Sequence, residues 1–276
     1  CIRDRLKGLH PQLAGIPCIY YFHENQFAYP LSEKQITSVE PMMVQLYGAL
    51  SADSLFFNSA YNRDSFLQGV DALLNKFPDE IPDSVTEPLK NKSHVLPVVV
   101  TPVTQTAIKN KKLILWNHRW EYDKNPQVFC DALLQLKEMG ADFELALLGP
   151  RPANKPAALT VIEQQLDDRI VVNARVSSHE YQKYLAQSAI VVSTAIHEFQ
   201  GLSVLEAVSA GAVPLVPDDL CYPEQYAGEY RYKAGDSRTL ANKLGHCLEN
   251  PLTAPDVSFW YSQTIMGKWH QALQDF

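Results

Sequence analysis

Short apolar segments alternate with longer segments of helical periodicity along most of the chain. The apolar segments predict eight strands, at residues 16–22, 54–58, 94–100, 112–116, 143–149, 169–173, 189–194 and 212–217. Strands and helices that alternate in this way are typical of a parallel sheet wrapped by helices. The sequence therefore predicts an α/β fold.

The first series ends at a stretch rich in Pro, Thr and Lys that begins within the third predicted strand and interrupts this alternation. It reads LPVVVTPVTQTAIKNKK, and a second strand–helix series begins at Leu113. Because such breaks separate domains, we expect a boundary near residue 105, with one domain at 1–105 and another at 106–276. The first series has few strands and the chain opens at Cys1, so we expect the N-terminal domain to be truncated.

Composition narrows the class of protein. The 276 residues are 46% hydrophobic and 20% charged, and no run approaches the roughly 20 apolar residues of a membrane helix, so we expect a soluble chain without a membrane partner. The five cysteines show no paired spacing, and no leader precedes them, which favours reduced thiols in the cytoplasm. A net charge of −7 attracts no polyanion overall, and only KNKK at 109–112 offers a basic patch.

The stretch HEFQGLSVLEAVSAG, residues 197–211, places candidate chemistry at the carboxyl end of a predicted strand. Ligands of open parallel sheets bind at this end. Gly201 lets the backbone approach a ligand, and the free N–H groups of the following helix suit a diphosphate. Glu198 and Glu206 stand on either side and can accept hydrogen bonds from sugar hydroxyls. From the spacing alone, a structural explanation is equally good. Glu206 would be a helix residue with a local cation partner, and Glu198 a carboxylate near a helix N-terminus.

Two further segments place polar residues directly after predicted strands. Arg119 and Lys124 follow the first strand of the second series and could clamp a diphosphate, although a solvated cationic loop is the alternative. In the first domain, FHENQFAYP places His23, Glu24 and Asn25 after an apolar strand, a pattern that favours a site facing a cleft over an isolated polar residue.

The glutamate segment resembles the E-x7-E motif of retaining nucleotide-sugar glycosyltransferases with the GT-B fold, in which two Rossmann-like domains face a cleft. The resemblance implies that Glu198 contacts the transferred sugar and Glu206 the nucleotide ribose. It also implies that Gly201 and Leu202 offer backbone N–H groups to the phosphates. Arg119 and Lys124 match the family's phosphate clamp. Phe199-Gln200 departs from the usual Gly-Phe of this motif.

Four segments together resemble the tRNA-queuosine α-mannosyltransferase family. They read FHENQFAYP, FNSAYNRDSF, LWNHRWEYDKNP and STAIHEFQGLSVLEAVSAGAVPLVPDDLCYPE, in the family's order. The resemblance implies transfer of mannose from GDP-mannose to queuosine in tRNA with retention, the donor phosphate accepting the proton. It implies catalytic roles for His23 and Glu198 at the sugar and acceptor contacts for Glu24 and Asn25. We expect no required cofactor and no metal, because Arg119 and Lys124 neutralise the phosphates.

Other interpretations stay open. A transferase of the same fold could use another nucleotide-sugar and a glycan or lipid acceptor, because fold does not specify the acceptor. A non-catalytic nucleotide- or RNA-binding remnant is the second alternative, whereas a dinucleotide dehydrogenase is disfavoured because no G-x-G-x-x-G follows a strand. Near its end, the sequence predicts a helix that packs back across the domain boundary, with Trp260 and Trp269 as packing residues. The oligomeric state is not predicted.

Overall fold

The computed structural model describes residues 9–13, 15–30, 38–77 and 85–274. The chain forms two compact units. The first comprises the described residues up to Val98 together with those from Ile265 onward, and the second is Val99–Thr264. The chain therefore passes into the second unit a short distance before the boundary expected near residue 105.

Nine strands and nine longer helices occur within the described ranges. The strands are β1 (Ile19–Phe22), β2 (Ser54–Phe57), β3 (Ser93–Val95), β4 (Asn110–Trp116), β5 (Glu144–Leu147), β6 (Ile170–Asn173), β7 (Ser188–Val192), β8 (Val213–Pro217) and β9 (Arg231–Tyr232). The helices are α1 (Glu40–Ser51), α2 (Ala60–Leu74), α3 (Thr86–Asn91), α4 (Pro126–Glu138), α5 (Ala157–Gln165), α6 (Ser178–Gln187), α7 (Leu202–Ser209), α8 (Ser237–Glu249) and α9 (Ser262–Gln274). The predicted α/β fold is confirmed.

The first unit is a three-stranded parallel sheet in the order β1-β2-β3. Phe22 of β1 and Phe57 of β2 stack with ring centroids 4.5 Å apart, and Phe66 of α2 packs against Phe22 at 4.7 Å. These buried rings form the core beneath α1, α2 and α3. From Ile265 onward, helix α9 belongs to this unit as well, and the Trp269 indole N–H donates to the Pro97 carbonyl at 3.1 Å.

The predicted strand at 94–100 is largely wrong, since β3 ends at Val95. Pro97 has no N–H group and cannot extend the ladder. Val100 makes only an isolated bridge to Tyr261. Conversely, the short edge strand β9 was not predicted, because two residues carry too little pattern to identify a strand.

The second unit is a six-stranded parallel sheet in the order β6-β5-β4-β7-β8-β9. Counted within this unit, the order is 3-2-1-4-5-6, that of the Rossmann fold. Strands β4 and β7 lie side by side at its centre, where the winding of the chain reverses. Ligands of such sheets bind outside the carboxyl ends of the strands at this switch point, so a ligand is expected at the loops after β4 and β7.

Buried aromatic rings of the second unit hold the loop after β4 in place. Trp116, the last residue of β4, stacks on Phe129 of α4 with centroids 4.4 Å apart and lies 5.2 Å from the ring of Trp120. All three rings are fully or almost fully buried.

In the part of the chain that the structure describes, no helix is both long and apolar enough to cross a bilayer.

Candidate active site

The loops that follow β4 and β7 are tied to each other at the switch point. The Thr194 hydroxyl donates to the carbonyls of Lys124 and Asn125 at 2.7 and 3.0 Å. The Ile196 N–H donates to the Asp123 carbonyl at 2.9 Å. The side chains that these loops carry are therefore held in one arrangement at the carboxyl end of the sheet.

Helix α7 begins at this point with a glycine that the geometry requires. Gly201 adopts φ +65°, in the left-handed region, and precedes the first residue of the helix. A Cβ atom here would meet the Tyr222 ring at 3.1 Å. The Tyr222 hydroxyl in turn donates to the Ser193 hydroxyl oxygen at 2.7 Å, which fixes the ring. Both the backbone angle and the close ring thus favour glycine.

Glu198 places its carboxylate at the start of α7. It accepts the Phe199 N–H at 3.1 Å and the Lys124 ammonium at 3.2 Å, and it also accepts the Gly201 N–H. Burial raises the pKa of Glu198, but the charge of Lys124 and the hydrogen bonds from Gly201 and Lys124 outweigh burial and hold the pKa below its ordinary value. Glu198 is therefore an anion, and the Gly201 N–H predicted for a phosphate is directed at this carboxylate.

Lys124 is almost completely buried, with 9% of its side chain exposed. Its ammonium donates to the His197 carbonyl at 2.7 Å and to Glu198 at 3.2 Å, and it lies 3.2 Å from Asp123. Three oxygens thus match the three ammonium hydrogens. Lys124 holds the two loops together and fixes Glu198, so a phosphate would have to displace one of these oxygens to contact it directly.

Arg119 has a different environment from its predicted partner. Its guanidinium lies 2.9 Å from Glu121 and 3.4 Å from Asp123, and 52% of its side chain is exposed. Exposed ion pairs of this kind contribute little, about 0–1 kcal/mol. Arg119 can therefore leave the exposed Glu121 carboxylate for an incoming anion at low cost.

Glu206 lies in the second turn of α7 and is half-buried. Its Oε2 atom accepts the Tyr181 hydroxyl at 3.0 Å. The Asn117 amide donates to the Tyr181 oxygen at 3.1 Å and to the Ser203 carbonyl at 2.8 Å. These hydrogen bonds thus join the loop after β4, the first turn of α6 and the second turn of α7. Leu202, the first residue of α7, is 40% exposed.

His118 is a site residue that the sequence interpretation did not identify. It is buried, and its Nδ1 atom lies 3.3 Å from the Ser203 hydroxyl oxygen. Within the described ranges, its Nε2 atom has no hydrogen-bond partner. Burial, followed by the nearby Lys124 charge, lowers its pKa to about 4, so the ring is neutral at pH 7. The available signal was its position directly after β4, a signal that Asn117 shares.

Gly149 explains how the β4 loop lies so close to the loop after β5. A Cβ atom at Gly149 would stand only 1.5 Å from the His118 carbonyl oxygen. No side chain fits there without movement of the backbone. The position of His118 therefore depends on this glycine.

His23 and Glu24 lie in the first unit, directly after β1, and both are exposed. The Glu24 carbonyl accepts the Gln45 side-chain amide at 3.2 Å. The roles expected for both side chains, at the sugar and the acceptor, stay predictions.

Asn25 differs from these neighbours, because it is completely buried. Its Nδ2 group donates to the Asn62 side chain at 2.9 Å and to the Ser65 hydroxyl at 3.0 Å. Its Oδ1 atom accepts two backbone N–H groups, from Phe27 at 3.1 Å and Ala28 at 3.0 Å. The expected acceptor contact of Asn25 is therefore corrected to a structural one, since the protein itself uses both ends of the amide.

The next junction in this unit is also structural. The Ser59 hydroxyl accepts the Asn62 N–H at 3.0 Å and caps α2. In the second unit, Glu224 lies exposed at the end of a short 3-10 turn. Across the described ranges, no three His, Cys, Asp or Glu side chains are grouped so that they could hold a metal ion.

Comparison with known proteins identifies two family models along the chain. Residues 4–100 match the model described as tRNA-queuosine alpha-mannosyltransferase N-terminal, and residues 103–257 match glycosyl transferases group 1. A tRNA-queuosine alpha-mannosyltransferase of Drosophila melanogaster is 35% identical over 247 residues, which are 85% of this chain and 66% of the relative. The chain thus spans slightly less than two thirds of that relative.

Solved structures resemble the fold at low sequence identity. The crystal structure of TarM matches with a TM-score of 0.70 and 16% identity, over 96% of this chain and 52% of TarM. The structure of Alr3699/HepE from Anabaena, in complex with UDP and glucose, matches with a TM-score of 0.71 and 16% identity, over 94% of this chain and 72% of that one. At this identity the likeness shows the α/β fold alone.

Proposed function

Because the chain belongs to the glycosyl transferases group 1 family, we propose that it transfers mannose from GDP-mannose to queuosine in tRNA. The observation that carries the donor half is the set of charged and hydrogen-bonding residues at the β4–β7 switch point. The acceptor half is supported by the relative from Drosophila melanogaster, which is named for queuosine in tRNA, and by the family model over residues 4–100.

The diphosphate of the donor binds at the start of α7 in this proposal. A helix N-terminus carries unpaired N–H groups and the positive end of the helix dipole, both of which favour an anion. Arg119 swings from Glu121 to the phosphates, because its present ion pair is exposed and weak. Lys124 contributes its charge from its buried position.

The sugar is held beside Glu198, and the ribose contacts Glu206. As the bond to the leaving diphosphate lengthens, positive charge develops on the sugar ring. The Glu198 anion stabilises that charge, and Lys124 keeps the carboxylate ionised and in place. The acceptor oxygen bonds to the anomeric carbon from the face that the diphosphate leaves, and the departing phosphate oxygen takes the acceptor's proton, so the configuration is retained. The proposal invokes no protein nucleophile and no metal, since position and charge supply the catalysis.

His23 and Glu24 complete the proposal from the first unit. Their exposure after β1 leaves them available to a ligand, and the predicted roles are contact with the sugar for His23 and with the acceptor for Glu24. A His23→Ala variant tests this part separately. We expect it to lower kcat while leaving the affinity for GDP unchanged.

The test is a transfer assay with the chain itself. The chain is incubated with GDP-mannose and tRNA that contains queuosine, and the tRNA nucleosides are analysed by mass spectrometry for the gain of one hexose. The same tRNA with guanosine in place of queuosine is the acceptor control, and UDP-glucose is the donor control. Hexose on queuosine from GDP-mannose alone is expected.

Two variants link the assay to the site. Glu198→Gln removes the anion next to the sugar, so we expect a loss of about 100-fold in kcat with nucleotide affinity retained. Glu249→Gln removes an exposed carboxylate at the end of α8 and is the matched control. Transfer from UDP-glucose would refute the GDP-mannose donor. Binding of GDP-mannose without hexose on either tRNA would refute the queuosine acceptor.

A further inference from the structure

Three structural elements converge on the carboxylate of Glu206. Tyr181 lies near the start of α6, Asn117 directly follows β4, and Glu206 lies in α7. The Tyr181 hydroxyl is 3.0 Å from Glu206 Oε2, and the Asn117 Nδ2 atom is 3.1 Å from the Tyr181 oxygen. These residues form a chain of hydrogen bonds that ends on the carboxylate.

The direction of each hydrogen bond in this chain is fixed by chemistry. The Asn117 Nδ2 group only donates, so the Tyr181 oxygen accepts from it and gives its own hydrogen to Glu206. Burial raises the pKa of Tyr181, and the adjacent Glu206 charge raises it further, so the hydroxyl keeps its hydrogen throughout the neutral range. The other N–H of the Asn117 amide donates to the carbonyl of Ser203, which lies one turn before Glu206 on the same helix.

This arrangement fixes one carboxylate oxygen of Glu206 and leaves the second oxygen available to a ligand. The carboxylate accepts Tyr181 at Oε2, and among the described residues no hydrogen bond to Oε1 is recorded. The side chain is half-buried and still has access to solvent. A carboxylate fixed through one oxygen presents its second oxygen in a set direction, which suits a ligand hydroxyl.

We propose that Tyr181, anchored by Asn117, is a positioning residue that fixes Glu206 so that its Oε1 atom accepts a ribose hydroxyl of the bound nucleoside diphosphate. This inference rests on the proposed function, in which Glu206 contacts the ribose. It adds that the selectivity for ribose hydroxyls depends on a residue of α6 that does not touch the ligand.

The experiment compares ribose with its dideoxy form in matched variants. Titration calorimetry measures GDP and UDP against the wild-type chain, and the nucleotide that binds is then measured beside its 2′,3′-dideoxy form. Hydrogen bonds to charged groups contribute about 1.5–3 kcal/mol, so we expect wild type to prefer the ribose form by about tenfold or more. Tyr181→Phe should lose most of that preference and keep its affinity for the dideoxy form.

Two controls separate positioning from folding. Tyr184→Phe removes a hydroxyl from the same helix and should keep the full preference for ribose. Asn117→Ala removes the anchor and should reduce the preference in the same direction as Tyr181→Phe. Thermal melting shows whether Tyr181→Phe and Asn117→Ala fold. If one of them does not, the other still decides the inference.

The outcomes distinguish this inference from the proposed function. If wild type binds neither GDP nor UDP, the proposed function fails and the inference fails with it. If wild type prefers the ribose form and folded Tyr181→Phe prefers it equally, only the inference is overturned. An equal loss of affinity for both nucleotide forms in Tyr181→Phe would show a merely structural role and would also overturn it.

Discussion

The neutral state of His118 predicts that lowering the pH destabilises the second unit. The ring is buried, and burial with the charges of Lys124 and Arg119 lowers its pKa, against the opposite effect of Glu198 and Asp123. The folded-state pKa of about 4 lies below the ordinary value of 6.5. Between these values the unfolded chain binds a proton and the folded chain does not. The free energy of unfolding therefore falls as the pH drops from 6.5 towards 4.

The magnitude of this effect follows from the two pKa values. Well above pH 6.5 the ring is neutral in both states and contributes almost no pH dependence. At pH 5 the difference in proton binding lowers the free energy of unfolding by about 2 kcal/mol. Below the folded-state pKa the loss reaches its limit, about 3 kcal/mol. These values apply to His118 alone, so a comparison of variants is needed to isolate them.

The assay is urea unfolding followed by tryptophan fluorescence at pH 7 and pH 5. Trp116 and Trp120 are buried next to this site and report on the second unit. His118→Gln removes the titrating ring, and His179→Gln removes an exposed histidine of α6 as the control. We expect the loss of stability between the two pH values to be about 2 kcal/mol smaller in His118→Gln than in wild type and in His179→Gln.

Two results would refute this reasoning. If His118→Gln lost as much stability as wild type between pH 7 and pH 5, the ring would not be the group that titrates. If wild type lost less stability than His118→Gln between pH 7 and pH 5, the folded state would bind the proton more tightly than the unfolded state. The sign of the pKa shift would then be wrong.

Three further predictions concern individual side chains. Lys124→Met leaves buried carboxylates without their cation, so thermal or urea unfolding should show a loss of about 3 kcal/mol, and no loss would refute the buried ion pair. Gly201→Ala and Gly235→Ala should each lose about 1 kcal/mol of stability because of positive φ, and Gly201→Ala should lose more because its Cβ atom meets the Tyr222 ring; only Gly201→Ala should weaken GDP binding in calorimetry. Asn25→Ala should destabilise the first unit by about 2 kcal/mol in urea unfolding, whereas its exposed neighbour Glu24→Ala should not.

The alternation of apolar segments was sufficient to predict the fold, because each parallel strand is buried on both faces and reads as a short apolar run. The strand β7, the glycine turn and the helix α7 follow one another closely in sequence, so Glu198 and Glu206 could be placed at the site from local pattern alone. The family resemblance inferred from the motifs is confirmed by the matches over residues 4–100 and 103–257.

Pairings between distant segments could not be predicted in this way. The ion pair between Lys124 and Glu198 joins residues 74 positions apart, so no local periodicity reports it. Asn25 shows the same limit, since a polar residue after a strand suits both a ligand contact and a buried network. Partners such as Asn62, 37 residues further along the chain, show that Asn25 belongs to a buried network.

The charge balance of the site divides the work between its two cations. Arg119 and Lys124 face three carboxylates, Glu121, Asp123 and Glu198, so no excess of positive charge awaits a diphosphate. Binding must therefore exchange partners, and the exposed Arg119–Glu121 pair is the one that can part at little cost. The largely buried Lys124–Glu198 pair is expensive to separate and keeps the Glu198 anion where the proposed reaction develops positive charge. In the proposed reaction, the Arg119–Glu121 pair therefore opens to receive the donor, while the Lys124–Glu198 pair stays closed and orients the Glu198 carboxylate.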